Sequence, residues 1–242
     1  MIPYIRQAAR FFFGRVAPRR PYRVVRGPLR GSRFVLGSLS GEGGGASVYF
    51  DMMETEQTAE MLRSISSGGV FFDIGANVGY YSILASRLVG ANGRVVAFEP
   101  VVRNLAYLQR HVELNSAWNV TVLPFAVAGE NGILSFSTGP DNAMGSIDRS
   151  GGSADVLVPA VTLDDISSRL GLIPDVIKID VEGAEMEVLE GGRRTIGDRG
   201  PTIFLSTHST ELRSSCLDLL QDLGYETRPL VEGDAHEFIA RR

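Results

Sequence analysis

From about residue 70 onward the chain alternates short apolar runs with stretches whose apolar residues recur every three or four positions. Val70–Ile74 is an apolar run, closed by a glycine turn and followed by the helical stretch Tyr80–Leu88. Arg94–Phe98 reads as a second strand ending at Glu99-Pro100, and Val101–Asn115 as a helix with Leu105, Leu108 and Val112 on one face. Val120–Val127 is predicted as a third strand and Ile133–Phe136 as a fourth, with a Gly-, Ser- and Asp-rich loop over 139–155. Val176–Ile179 is a buried strand leading into the helical Ala184–Leu189, and Thr202–Thr207 is another strand. The helix Glu211–Leu223 puts Leu212, Cys216, Leu219 and Leu220 on one stripe. Apolar strands alternating with amphipathic helices predict an α/β fold: a mainly parallel sheet with helices on both faces.

Upstream, residues 22–36 read as two short strands with a Gly-Pro break, a hairpin or edge ribbon. The glycine-rich stretch Gly41–Gly45 follows as a linker. The expected organisation is therefore a basic arm and hairpin over 1–45 and a main domain over 46–242.

Composition narrows the class. A chain of 242 residues can bury roughly 70–75% of its unfolded surface and needs no staple. Cys216 is the sole cysteine, which excludes disulfide scaffolds and cysteine-built zinc sites. Lys178 is the sole lysine, a bias that fits a GC-rich bacterial genome. It lies within Val176-Ile-Lys-Ile-Asp180, so no lysine-bearing phosphate loop exists and most nucleoside triphosphatases are excluded.

Charge changes the picture further. Nine arginines fall in residues 1–33 before the first acid, Glu42; the remaining 15 bases against 28 acids leave −13 on the rest. The acidic body argues against nucleic acid as a partner, and the absence of a [DN]-P-P-[YF] sequence argues against methylation of base amino groups. The basic head is either an arm packed on its own body or a contact for an anionic membrane or acidic partner. The apolar start is cut by Arg6, Arg10 and Arg15, so it makes a poor secretory signal. A cytoplasmic protein, with optional peripheral membrane contact, is the expectation.

In such a sheet, ligands bind beyond the carboxyl ends of the strands, where strand order reverses. The turn Asp73-Ile-Gly-Ala-Asn-Val-Gly-Tyr80 has glycines at Gly75 and Gly79. A pyrophosphate site wants a glycine where Asn77 stands, and Asp73 would repel its oxygens. An acid there suits a cation instead, such as the sulfonium and amino group of S-adenosylmethionine (SAM). Glu99, 20 residues after Gly79, can accept both hydroxyls of a ribose, a feature common to NAD and SAM sites. Apolar residues at the next strand end, Phe125 and Ala126 among them, would line an adenine pocket or simply be core.

Phe72-Asp-Ile-Gly-Ala-Asn-Val-Gly-Tyr-Tyr-Ser82, Phe98-Glu-Pro100, Ala126-Val127, Val161-Thr-Leu-Asp-Asp165 and Lys178-Ile-Asp-Val-Glu-Gly-Ala-Glu185 together resemble the FkbM family of SAM-dependent methyltransferases. The resemblance runs from about Tyr49 to Tyr225 and leaves the basic head outside. It implies a Rossmann-like methyltransferase sheet of seven strands with a final antiparallel strand, and O-methylation of hydroxyls on sugars or polyketides. It also implies SAM contacts at Asp73, Gly75, Asn77 and Glu99. Gly79, Tyr80 and Ala126 complete the candidate cofactor set.

On the acceptor side, a group must orient a hydroxyl and take its proton. Asp180, at a strand's carboxyl end, is the first candidate, His208 the second, and Glu182 stands beside them. Asp180 and Glu182 could alternatively hold a divalent metal, a pattern of low specificity. Glu185 near a helix start complements the dipole, and Glu190 with Arg194 reads as an i,i+4 surface pair. Thr162-Leu-Asp-Asp165 reads as a helix-capping box. His111 and His236 carry no functional assignment, and Gly139–Gly152, with Asn142, Met144 and Ser146, is the expected place for acceptor specificity. The leading reading is thus a SAM-dependent O-methyltransferase of a carbohydrate or related metabolite. Two others share these residues: a nicotinamide-dependent dehydrogenase and a non-catalytic SAM-binding assembly subunit.

Overall fold

A computed structural model describes residues 18–38, 46–50, 55–138, 145–147, 156–233 and 236–242. The expected linker Gly41–Gly45 and the first half of the basic arm lie outside the described residues. The chain begins with a short hairpin, β1 (Pro21–Arg23) and β2 (Arg33–Val35), followed by a 3₁₀ turn over Ala46–Phe50 and helix α1 (Thr55–Ser64). The alternating part follows as β3 (Val70–Ile74), α2 (Tyr80–Val89), β4 (Arg94–Phe98), α3 (Val102–Leu114) and β5 (Val120–Leu123). Next come β6 (Ala126–Val127), β7 (Gly132–Thr138), β8 (Gly145–Ile147) and β9 (Val156–Val161). The chain then runs through α4 (Leu163–Leu170), β10 (Val176–Ile179), α5 (Glu185–Glu190), α6 (Arg193–Arg199) and β11 (Thr202–Ser206). It closes with α7 (Thr210–Asp222), β12 (Glu226–Pro229) and β13 (Glu237–Arg241).

Seven strands form one sheet in the order β12-β13-β11-β10-β3-β4-β5. β3, β4, β5, β10 and β11 are parallel, and β13 is antiparallel to both of its neighbours. The strand order therefore reverses between β3 and β10, which opens a crevice at their carboxyl ends. The period of two sorts the core. Phe71, Val95, Val176 and Phe204 face one layer with the hairpin, α1, α2 and α3, while Phe72, Val96, Ile177 and Ile203 face the other with α4 to α7. Both layers are buried, as a sheet with helices on each face requires. No described helix is long and apolar enough to cross a membrane.

Three expectations need correction. The run Val120–Val127 is not one strand. Pro124 lacks an N–H for the ladder, so β5 stops at Leu123, and Ala126–Val127 joins a second sheet in the order β6-β9-β7-β8. The predicted Ile133 strand belongs to that second sheet as well, and part of the expected loop, Gly145–Ile147, is its edge strand. The Glu190–Arg194 pair also does not form, because the helix breaks at Gly191-Gly192. Arg194 turns to Asp164 instead, its backbone N–H donating to the Asp164 carboxylate at 3.1 Å. Thr162 does cap α4, its Oγ1 accepting from the Asp165 N–H at 3.1 Å, but the reciprocal half of the box is replaced: the Thr162 N–H donates to Asn131 Oδ1 at 2.9 Å.

The hairpin is stitched to the main sheet layer rather than standing apart. Val24, Leu29, Phe34 and Leu36 share the core with Phe71 and Leu108. Asn115, at the end of α3, accepts from the Arg33 N–H at 2.7 Å and donates to the Arg33 carbonyl at 2.8 Å. Asn115→Ala removes both bonds and should lower stability by about 2 kcal/mol, a fall in melting temperature of roughly 4–8 °C measurable by thermal denaturation.

Candidate active site

The crevice at the strand-order reversal is lined by the ends of β3, β4 and β10 and roofed by the second sheet. Gly75 and Asn77 come from the turn after β3, Glu99 from the end of β4, Ala126 from β6, and Asp180 and Glu182 from the segment after β10. Six of the predicted residues thus meet in one cleft.

The turn after β3 has the shape its sequence requires. Gly75 has φ +79°, and a Cβ placed there would lie 1.8 Å from the Asp180 carbonyl oxygen. Only glycine lets the two strand ends approach so closely. Asn77 also takes a left-handed conformation, φ 50°, which asparagine tolerates better than most residues. The Gly75 and Ala76 N–H groups both donate to the Phe98 carbonyl, at 3.1 and 2.9 Å, which ties the turn to β4.

Glu99 is buried and accepts from the Asn77 N–H at 2.7 Å and the Val101 N–H at 2.8 Å. Burial pushes its pKa up to about 7 against the pull of those bonds and of one from Asn104. Asn104 was missed by the sequence reading. The available signal was a polar residue four before Leu108, on the apolar face of the helix. Asn77 Oδ1, also buried, has no hydrogen-bond partner among the described residues.

Three cofactor candidates lie outside the cleft wall, as does His208. Asp73 is fully buried beneath it, with Ser82 Oγ donating to its Oδ2 at 2.5 Å. Burial raises its pKa, opposed by the Lys178 charge and the Ser82 bond. Gly79 precedes α2 at φ +87°, and a Cβ there would lie 2.4 Å from Leu108 Cδ1, so its role is close packing of α2 on α3. Tyr80 is buried between Tyr81 and Phe34.

On the acceptor side the sequence reading was incomplete. His208 Nε2 lies 3.7 Å from Asp180 Oδ1 and 3.4 Å from Glu182 Oε2, while its Nδ1 lies 2.6 Å from Glu185 Oε1. Glu185 is fully buried, and it also accepts from the Gly183 N–H at 3.0 Å. It therefore orients His208 rather than merely facing a helix dipole. A signal existed: Glu185 follows three residues after Glu182, within a motif already singled out. The hydrogen bond that His208 donates to Glu185 raises its pKa, desolvation opposes it, and the charges of Glu182, Glu185 and Asp180 add to the rise. For Asp180, burial would raise the pKa, but the Lys178 ion pair at 3.0 Å and the His208 charge outweigh it and pull it down. Among the described residues no three His, Cys, Asp or Glu side chains converge as a metal site.

His111, given no role from the sequence, is a buried tie. Its Nδ1 meets the Val78 carbonyl at 2.6 Å, and its Nε2 accepts from the Val35 N–H at 2.9 Å. The turn after β3 is thereby fastened to the hairpin. Burial lowers its pKa to about 4, which keeps the acceptor nitrogen free.

A sheet of this order, with a glycine turn after its first parallel strand and an acid after its second, defines a Rossmann-like methyltransferase fold. The chain belongs to the FkbM methyltransferase family: the methyltransferase FkbM domain matches residues 73–227. It is 28% identical over 134 residues to the hexuronic acid methyltransferase AglP of Haloferax volcanii, covering 54% of this chain and 53% of that protein. It is 27% identical over 141 residues to methyltransferase 1 of Beauveria bassiana, covering 49% and 56%. The chain thus spans about half the length of the curated relatives it matches. Among solved structures, the methyltransferase FkbM from Methylobacillus flagellatus KT superposes with a TM-score of 0.51 at 20% identity, over 86% of this chain and 57% of that one.

The closeness of the β3 and β10 ends makes Gly75 a sensitive position. Gly75→Ala forces its Cβ into the Asp180 carbonyl and should cost about 3 kcal/mol or more, read as a melting temperature lowered by roughly 6–12 °C.

Proposed function

We propose that this chain is a SAM-dependent O-methyltransferase acting on a hydroxyl of a sugar, glycan or related natural product. The observation that supports it best is that Glu99 and Asn77 share one cleft with Asp180 and Glu182. An acid suited to ribose hydroxyls thus stands beside an acid pair suited to an acceptor. The Haloferax relative's name as a hexuronic acid methyltransferase supports a sugar acceptor.

The residues present fit SAM. Glu99 keeps lone pairs beyond those taken by the Asn77 and Val101 N–H groups, and these suit ribose hydroxyls. The partnerless Asn77 Oδ1 is an acceptor waiting for a donor. Gly75 lets backbone pass close to a ligand, and Phe125 and Ala126 offer apolar surface for a base. SAM supplies an electrophilic methyl on a sulfonium cation, and a cleft walled by carboxylates favours that charge.

The chain's own residues then divide the remaining work. Glu185 accepts from Nδ1–H of His208, which leaves the Nε2 lone pair turned toward Asp180 and Glu182. His208 Nε2 takes the proton of the acceptor hydroxyl as its oxygen bonds to the methyl carbon and the carbon–sulfur bond breaks. Asp180 is a poorer base because Lys178 holds it ionised. Its role is to accept a hydrogen bond from the acceptor and fix its direction.

Two measurements test this reading. Ribose hydroxyls bind best to ionised Glu99, whose pKa of about 7 lies above the usual carboxylate range. SAM affinity by calorimetry should therefore tighten several-fold from about pH 6 to about pH 8. Glu99→Gln should weaken binding and flatten that dependence; a flat profile in the parent protein removes Glu99 from the site. The raised His208 pKa means that neutral imidazole, and hence kcat, grows with pH through an inflection above the ordinary histidine range. His208→Ala should lower kcat roughly 10²- to 10⁴-fold with SAM affinity kept. Glu185→Gln should move the inflection to lower pH, and an unmoved inflection would deny it the orienting role.

A further inference from the structure

Away from the active-site cleft, at the end of the sheet where β4 and β5 begin, a second cleft of about 400 Å³ opens between the hairpin, α2 and the end of α3. Its walls carry Arg23, Arg30, Arg33 and Arg87 and no carboxylate. The three hairpin arginines and Arg87 are all exposed, and none has an ion-pair partner among the described residues. In a chain whose net charge is −4, so concentrated a positive site calls for an anion.

The bland explanation is that these arginines answer the carboxyl ends of α2 and α3, which both point here. Each helix end carries roughly half a negative charge, so the two offset about one of the four cations. Glu113, the nearest acid in sequence, is engaged with Arg110 at 3.1 Å. About three positive charges remain unanswered. The walls are also set in place beforehand. Arg87 Nη1 donates to the Arg30 carbonyl at 3.1 Å and to Ser32 Oγ at 2.9 Å, and Asn115 clamps Arg33 from the other side.

We propose that this cleft docks phosphate-bearing headgroups at an anionic membrane surface. The choice of a lipid surface over a free anion rests on what flanks the arginines. Trp118, next to the lining residue Ala117, is 75% exposed, and Val25, two residues after Arg23, is 54% exposed. Neither helps to bind a soluble phosphate, whereas tryptophan beside arginine suits the boundary between headgroups and acyl chains. Trp118 is displayed by a firm turn, since the neighbouring Asn119 donates to the Ser86 and Gly90 carbonyls at 3.0 and 2.9 Å. The charge split orients the molecule: the −13 beyond residue 33 is repelled while the basic hairpin is drawn in. Residues 1–17, which precede this hairpin in the sequence, hold three further arginines and three consecutive phenylalanines.

The test is sedimentation of the full chain with vesicles of phosphatidylcholine alone and of phosphatidylcholine containing about one third phosphatidylserine. Binding is expected only to the anionic vesicles and should fall as salt is raised. Arg23→Ala, Arg30→Ala and Arg33→Ala should each weaken it roughly fivefold, the triple variant should abolish it, and Trp118→Ala should weaken it on vesicles. An unchanged melting temperature in each variant shows that the fold survives. Failure of the parent protein to bind anionic vesicles overturns the proposal. So does undiminished binding by the triple variant, which would place the contact on residues 1–17. Calorimetric binding of inorganic phosphate without vesicle binding would overturn it in favour of a free anion. None of these readings involves SAM, so they stand or fall apart from the methyl-transfer reading.

Discussion

The arrangement at the heart of this molecule is one buried lysine between two aspartates. Lys178 is 3% exposed, lies opposite Asp73 across the β3–β10 pairing, and bonds Asp180 just past the end of its own strand. Its ammonium also sits 5.3 Å from the centre of the Tyr81 ring. A parallel sheet brings the carboxyl ends of neighbouring strands together, and here both ends carry acids. Without a cation between them, the acids would repel in a medium that screens poorly. With it, Asp73 anchors α2 through Ser82 while Asp180 stays ionised at the cleft. An ion pair of this kind adds little net stability but is costly to break, because breaking it strands a charge.

The cleft is therefore built from backbone constraints first and side chains second. Gly75 allows β3 and β10 to close, Asn77 and Glu99 lock the turn to β4, and His111 fastens that turn to the hairpin. Glu185 does for His208 what Asn104 does for Glu99: each fixes a titratable group from behind. Each of these supports uses a polar group taken out of water and paired, the condition under which a buried polar network rigidifies a site.

Much of this was legible in the sequence where local pattern and structure coincide. The central strands and helices of the sheet announced themselves because apolar runs and amphipathic stripes are near-neighbour properties. The glycine turn after β3 was legible for the same reason. What escaped were relationships between distant residues. Nothing local to His208 says that Glu185 will meet its ring, and nothing local to His111 says that Val35 and Val78 will. Asp73 was placed at the right strand end, but its burial, its bond from Ser82 of α2 and the Lys178 charge beside it were not legible. The second sheet escaped because Pro124 was read as part of a strand, and a single missing N–H was enough to send the chain elsewhere.

That redirection at Pro124 has a consequence for how the molecule can vary. The chain leaves the main sheet after Leu123 and rejoins it at Val176, and the second sheet in between is closed where β6 pairs with β9 at Ala126–Ala160 and Val127–Val161. The described residues between these strands form an appendage clasped at its neck by the two residue pairs. Its length and composition can change without moving a strand of the sheet that holds the cleft. The second sheet can therefore be remodelled while the ends of β3, β4 and β10 keep their shape.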